Sequence, residues 1–310
     1  MYLCTRKKQH KHIVLDTVKP ALTRPSLISD FKEITKFGLS ISVVFSSIAG
    51  YLLGAIVVDW WTLVLLAFGG FFMVGASNAY NQIIERDLDV LMDRTKNRPI
   101  PAGRMSVNTA FVIAILFTVL GIVSLYIINP KTAMYGAISI FLYTSIYTPL
   151  KTRTPLAVFV GAIPGAIPFM LGWVAARNDF GIEPGILFAL QFFWQFPHFW
   201  SIGWFLFDDY KKGGFFMLPT GKRDKGTAVQ TIIYTVWTIL VSIIPVFGFT
   251  GDLKLSIVGA VVVLLLGLVM LYYAFELFRK RSSKAAKQLM LASVTYITLL
   301  QIVYVVDKFI

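Results

Sequence analysis

Trp61-Thr-Leu-Val-Leu-Leu-Ala-Phe-Gly-Gly-Phe-Phe-Met-Val-Gly-Ala-Ser-Asn-Ala-Tyr-Asn81-Gln-Ile-Ile-Glu85-Arg86-Asp87-Leu-Asp89-Val-Leu-Met-Asp93-Arg94-Thr95-Lys96-Asn97-Arg98-Pro99 runs a long apolar segment straight into a charged one. The apolar part is long enough to cross a hydrocarbon layer, which takes about 20 residues. Continued as a helix at about 100° per residue, the charged part turns only about 40° between positions 81, 85, 89 and 93. The spacing therefore predicts one face carrying Asn81, Glu85, Asp89 and Asp93, with Asp87 turned away. Like charges one turn apart disfavour a bare helix by roughly 0.2–0.5 kcal/mol per pair, so a cation is expected against them. A hard divalent ion such as Mg²⁺ takes oxygen ligands and keeps waters for substrate phosphates. The flanking Arg86, Arg94, Lys96 and Arg98 suit the oxygens of a phosphate group. The blander reading is a charged loop wetting a membrane surface, which gives no reason for a four-residue acid repeat.

The rest of the chain extends that first segment. It has 310 residues, is 56% hydrophobic and only 15% charged, and its mean hydropathy is +0.71, which marks an integral membrane protein. Nine apolar runs reach spanning length, near 35–58, 61–84, 107–128, 132–148, 156–176, 185–207, 227–250, 254–277 and 285–307. The expected fold is all-α and polytopic, with nine transmembrane helices. The fourth run is short, and Pro164 and Pro168 are expected to interrupt the fifth. Residues 1–33 are basic, contain Pro20 and Pro25, and lack the apolar core of a signal peptide, so they read as a cytoplasmic segment ahead of a membrane domain over 34–310. The single cysteine, Cys4, excludes an internal disulfide framework. Twenty-five of the 29 Lys and Arg fall on one side of these spans, leaving Lys131, Arg177, Lys254 and Lys308 on the other. That bias puts the N-terminus inside and the C-terminus outside. The net charge of +13 thus reflects topology and anionic lipid, and nucleic acid drops out as a partner.

A second acidic pair, Asp208-Asp209, follows the sixth run on the same inner side. Runs two and six lie four apart, which hints at a duplicated four-helix unit with a ninth helix appended, and repeat proteins place their site at the junction of the halves. Within run six, Trp194-Gln195-Phe196-Pro197-His198-Phe199-Trp200 carries a proline expected to bend or open the helix and free backbone carbonyls. Polar groups inside a membrane segment are presumptively functional. His198 reads as a general base, an iron ligand or, more plainly, a hydrogen bond tying two helices. The surrounding rings are lipid contacts or core packing, with a few free to line a chamber and face a carbocation. A third feature is Tyr147-Thr148-Pro149-Leu-Lys151-Thr152-Arg153, followed by a Gly/Pro run, Gly161-Ala-Ile-Pro164-Gly165-Ala-Ile-Pro168, that marks close helix packing beside a cavity. Lys151 and Arg153 suit a diphosphate, or simply obey the basic-inside bias. Together these features fit a substrate with an isoprenoid tail and a diphosphate head, activated by Mg²⁺ and shielded from water.

The motifs make the chain similar to the UbiA superfamily of intramembrane prenyltransferases over residues 35–307, and within it to the heme-farnesylating branch. The superfamily's Asn-x3-Asp-x3-Asp lands on Asn81, Glu85 and Asp89, with Glu in place of the first Asp. Met92-Asp93-Arg94-Thr95-Lys96-Asn97-Arg98-Pro99, Tyr147-Thr-Pro-Leu-Lys151, the Pro197-His198 segment, Asp209-Tyr210 and Met217-Leu218-Pro219 resemble that branch. The second superfamily motif is shortened to Asp208-Asp209, and Leu156-Ala157-Val158 replaces a usual Asn. The resemblance implies transfer of a farnesyl group from farnesyl diphosphate to a vinyl group of heme B, with Mg²⁺ bound by Asn81, Glu85, Asp89, Asp208 and Asp209. Asn81, Glu85, Asp89 and Asp209 would carry the chemistry. It further implies that Arg94, Lys96, Arg98, Tyr147, Lys151, Asp208 and Tyr210 contact diphosphate or substrate, and that His198 contacts the heme. A bacterial plasma membrane with a cytoplasmic active face is expected, and the next heme-modifying enzyme or a terminal oxidase as downstream partner. The competing expectations are prenylation of an aromatic quinone precursor and, in a different class, transport of a lipid or anion; a purely structural subunit leaves the acid repeat unexplained.

Overall fold

The computed structural model describes residues 26–310, and all regular structure among them is helical. In order the helices are α1 (Leu27–Ile34), α2 (Phe37–Gly54), α3 (Trp60–Ile84), α4 (Arg86–Asp89), α5 (Val107–Ile128), α6 (Pro130–Phe141), α7 (Thr148–Leu150), α8 (Leu156–Arg177), α9 (Ile182–Phe205), α10 (Phe207–Lys212), α11 (Lys225–Ile243), α12 (Ile257–Lys280) and α13 (Ser283–Phe309). A π-helical turn, Leu142–Tyr147, joins α6 to α7, and a 3₁₀ turn, Ile244–Phe247, extends α11. Local chemistry sets many of the starts. Ser26, Asp59, Ser106, Asn129, Asp224, Ser256 and Ser282 each accept an otherwise unpaired first-turn N–H through the side chain, and Pro130 follows its cap where a missing N–H costs nothing.

A helix forms at each of the nine expected positions. Seven of them, at 37–54, 60–84, 107–128, 156–177, 225–247, 257–280 and 283–309, are long and apolar enough to cross a membrane. The other two are α9, which carries Gln191, Gln195 and His198, and the composite of α6, the π turn and α7. Their outer sides are apolar. On α5, for instance, Phe111, Val112, Ile115, Leu116 and Val119 are exposed along one face, a patch that only lipid covers at no cost.

The long helices pack in a closed ring, α2–α3–α5–α6–α8–α9–α11–α12–α13 and back to α2, with a further contact of α2 on α8 across it. That cross-contact is backbone on backbone. A Cβ on Gly172 would lie 2.0 Å from the Ser47 carbonyl oxygen, and one on Gly50 2.0 Å from that of Phe169. Small residues at such crossings let membrane helices approach closely. The ring is also closed by polar pairs, since Gln301 of α13 donates to Ser46 of α2 at 3.1 Å and Lys308 donates to the carbonyls of Leu52 and Leu53.

Several expectations change. Helices α8 and α9 run unbroken through Pro164, Pro168 and Pro197. The carbonyl of Pro164, deprived of its donor by Pro168, instead accepts from Ser139 Oγ at 3.3 Å. Residues 27–34 form a helix, so the boundary drawn at residue 33 falls inside α1, whose Asp30 is buried against Arg104 at 2.8 Å. Most of the expected basic segment, including Cys4, Pro20 and Pro25, lies outside the described residues. Helix α3 does not continue through the acid repeat. It stops at Ile84, Glu85 takes φ −90° and ψ 4°, and the chain turns again after Asp89. Carbonyl-to-N–H bonds from Asn81 to Glu85 and from Glu85 to Asp89 keep these three in register, but Asp93 leaves their face.

Candidate active site

The ring encloses a cavity of about 770 Å³, a size typical of small-molecule sites. Its walls come from α2, α3, the π turn, α8, α9 and α13, and one end is capped by the loops that follow α3, α7 and α10. Those loops are tied to one another. Phe216 N–H donates to the Lys151 carbonyl at 2.7 Å, and both carboxylate oxygens of Asp209 accept from backbone, from Asp93 N at 2.7 Å and Arg94 N at 3.2 Å. Outside this junction Asp93 pairs with Lys96 and Lys212; hydrogen bonds from the two ammonium groups, Lys212 first, hold the carboxyl down at about 2.

Asn81, Glu85 and Asp89 all line the capped end of the cavity and are buried. Asn81 donates through Nδ2 to Thr148 Oγ1 at 3.1 Å, and Thr148 in turn donates to the Tyr143 carbonyl of the π turn. Cations do sit against the two carboxylates, as the acid repeat requires, but they belong to the protein. Lys151 Nζ lies 2.8 Å from Glu85 Oε1, and Arg98 bonds Asp89 Oδ2 at 2.7 Å. Burial pushes the Asp89 carboxyl up, against the pull of Arg98. For Lys151 burial acts to lower the ammonium, and the Glu85 carboxylate together with the Tyr143 and Tyr210 hydroxyls more than offsets it, leaving it raised. The Lys151 ammonium also faces the ring of Tyr147, 4.6 Å from its centroid. Asp89 Oδ1 remains buried with no hydrogen-bond partner among the described residues. A buried carboxylate oxygen left bare is costly and calls for an occupant. With the Glu85 carboxylate and the Asn81 amide beside it, the donor set is all oxygen and fits Mg²⁺.

Other predicted residues divide in two. Arg94, Arg98, Tyr147, Lys151, His198 and Tyr210 line the same cavity, with the Arg94 guanidinium 5.6 Å from the Tyr210 ring centroid. Lys96, Asp208 and Asp209 are not among its lining residues. Lys96 pairs with Asp93, Asp208 is exposed and bonds Arg223 at 2.9 Å, and Asp209 holds the loop. The two acidic clusters are thus joined through residues 93–94 rather than facing each other across the hollow.

Sequence reasoning missed Lys36, at the start of α2, which lines the cavity in a left-handed conformation at φ 46° and ψ 55°. Burial, and then the nearby Arg98, Lys151 and Arg94, lowers its ammonium to about 7. Of an amide cluster that also lines the chamber, sequence reasoning singled out Gln195 alone. Gln195 Nε2 donates to the Ala162 and Gln191 carbonyls, and Gln301 Nε2 donates to Gln191 Oε1. Gly165 makes room for it, since a Cβ there would lie 1.9 Å from Gln195 Oε1. Polar residues inside apolar runs were the signal available for Gln191 and Gln301.

The chamber, with hard oxygen donors and cations at one end and apolar walls beyond, agrees with the comparisons. Residues 43–299 match the model of the UbiA prenyltransferase family. A protoheme IX farnesyltransferase of Christiangramia forsetii is 75% identical over 285 residues, 92% of this chain and 95% of that protein. One from Flavobacterium psychrophilum is 69% identical, covering 92% of this chain and 96% of the relative. Among solved structures, a digeranylgeranylglyceryl phosphate synthase superposes with a TM-score of 0.75 at 18% identity, covering 91% of this chain and 98% of its own. A UbiA homolog from Archaeoglobus fulgidus bound to GPP and Mg²⁺ gives 0.67 at 16% identity, covering 89% and 99%. The match over most of the chain, with the fold and the acidic helix end it rests on, places this integral membrane protein in the UbiA prenyltransferase family.

Proposed function

We propose that the protein transfers a farnesyl group from farnesyl diphosphate to a vinyl group of heme B, releasing pyrophosphate and, after addition of water, leaving a hydroxyethylfarnesyl substituent. The observation that carries this reading is the bare, buried Asp89 Oδ1 at the cationic end of a mostly apolar chamber. The high-identity relatives named as protoheme IX farnesyltransferases supply the acceptor. Asn81, Glu85 and Asp89 would hold Mg²⁺, which when bound neutralises charge on the departing pyrophosphate. Arg94, Arg98, Lys151 and Lys36 supply positive charge for the remaining diphosphate oxygens. Asp209 fixes the backbone that carries Arg94. The farnesyl chain lies along the apolar walls of α2, α8 and α13. Loss of pyrophosphate leaves an allylic cation, the vinyl π pair closes the new carbon–carbon bond, and water captures the resulting cation beside the porphyrin and loses a proton. Walls of packed helices keep bulk water from the allylic cation until that bond has formed.

The bacterial relatives support a bacterial plasma membrane and the basic-side bias this end on its cytoplasmic face, and the next heme-modifying enzyme or a terminal oxidase is the recipient this reading proposes. The deciding experiment supplies purified protein in bilayers with heme B, farnesyl diphosphate and Mg²⁺. The expected product is a more hydrophobic heme whose mass has gained one farnesyl group and one hydroxyl. Prenylation of a phenolic acid alone would overturn the acceptor and keep the family.

Lys36 gives the binding step a pH signature. Its ammonium is lowered to about 7, and an arriving diphosphate favours the charged form and raises it again. Binding is therefore expected to take up a proton near neutral pH and to weaken as pH rises above about 7. Calorimetry in buffers of different ionisation enthalpy reads that uptake directly. It should vanish in Lys36→Met, and persistence there would sink the assignment.

A further inference from the structure

His198 is held from two directions. Its ring stacks on Trp194, one turn earlier on α9, with centroids 4.9 Å apart and planes 18° from parallel. Its Nδ1 lies 2.9 Å from Ser293 Oγ on α13. Ser293 Oγ in turn lies 2.7 Å from the Met290 carbonyl oxygen. A carbonyl only accepts and a serine carries one proton, so that proton is spent on Met290. The imidazole must then donate from Nδ1, and Nε2 keeps its lone pair. No hydrogen bond to Nε2 occurs among the described residues, and His198 lines the cavity. The indole of Trp194 is pinned by the same residue, donating from Nε1 to the Ser293 carbonyl at 2.7 Å.

A neutral imidazole with one nitrogen donating to an oxygen and the other bare is the arrangement that orients a metal-binding histidine. We infer that Ser293 is a positioning residue that fixes the tautomer and the ring angle of His198, so that Nε2 ligates the iron of the heme acceptor. The inference rests on the heme reading above and deepens it. Anchoring the iron on α9 fixes the porphyrin at one point, so the vinyl edge is presented to the isoprenoid rather than sliding within a greasy chamber. The carboxylates at the capped end lie on other elements, so the iron and the diphosphate end would be held by separate groups.

The test needs no turnover. Heme B is bound to the purified full-length protein without any prenyl diphosphate, and absorption, EPR and resonance Raman spectra are recorded. The wild type is expected to show an imidazole-ligated iron. His198→Gly should lose that signature and regain it with added imidazole. Ser293→Ala should weaken heme binding by about 10- to 100-fold and shift the iron–nitrogen stretch, with Ser293→Thr restoring both. An unchanged spectrum in His198→Gly, or an unchanged stretch and affinity in Ser293→Ala, overturns the inference while leaving the farnesyl acceptor intact. Failure of the wild type to bind heme at all would overturn the acceptor reading together with it.

Discussion

Asp89→Asn is expected to lower pyrophosphate release from farnesyl diphosphate by about 10²- to 10³-fold, the equivalent of roughly 3–4 kcal/mol of charge stabilisation. The loss has two sources that can be separated. Removing the charge weakens a buried carboxylate whose Oδ1 has no hydrogen-bond partner among the described residues, and with it the best Mg²⁺ ligand of the set. It also strands Arg98, which is buried and bonds the other oxygen of the same carboxylate. An uncompensated buried charge costs about 3–5 kcal/mol, so the single variant is expected to be less stable as well as inactive. Asp89→Asn/Arg98→Met removes both charges and should recover most of the unfolding midpoint without recovering activity. Mg²⁺ titrations of single-turnover release, read beside thermal denaturation in detergent, distinguish the two. Activity within tenfold of wild type in either variant would remove Asp89 from the metal site.

Gly172→Ala is expected to have the largest effect on stability of any single methyl addition in the bundle. The new Cβ would meet the Ser47 carbonyl oxygen at 2.0 Å and the Tyr51 nitrogen at 2.4 Å, and neither backbone atom can swing aside. Helices α2 and α8 must separate, at a cost of about 3 kcal/mol or more. Both helices wall the chamber, so substrate binding should weaken along with the fall in unfolding midpoint. Gly185→Ala is the control. Nothing lies within 4 Å of its Cβ, and alanine gains up to about 1 kcal/mol of helix propensity there. Equal midpoints for the two variants would show that the α2–α8 contact is not tight.

These expectations mark what the residue order reveals and what it leaves out. Apolar periodicity located the helices because length and hydropathy are local properties, and the four-residue repeat located Asn81, Glu85 and Asp89. It misplaced Asp93, because the helix stops at Ile84 and the chain turns again after Asp89, a choice made by the loop's tertiary ties rather than by its own propensity. The demand for a cation was sound. Its source was not legible, since Lys151 lies 66 residues from Glu85 and looked like part of a basic-side bias. Asp208 and Asp209 were both expected at the metal, with Asp209 in the chemistry, yet one bonds Arg223 in solvent and the other accepts two backbone N–H groups. Ser293 carried no signal at all. Serines on helices commonly bond a carbonyl one turn back, and only the arrival of His198 from α9 gives this one a role.

The contact between Ser46 and Gln301 spans 255 residues of chain. During synthesis, α2 therefore waits in the bilayer with one flank against lipid until nearly the whole polypeptide has been inserted. Only the arrival of α13 seals that flank and brings Ser293 to His198. Until then the cavity lacks the wall that Val294, Ile297, Thr298 and Gln301 supply. A nascent chain arrested before residue 283 should insert its earlier helices yet bind neither substrate.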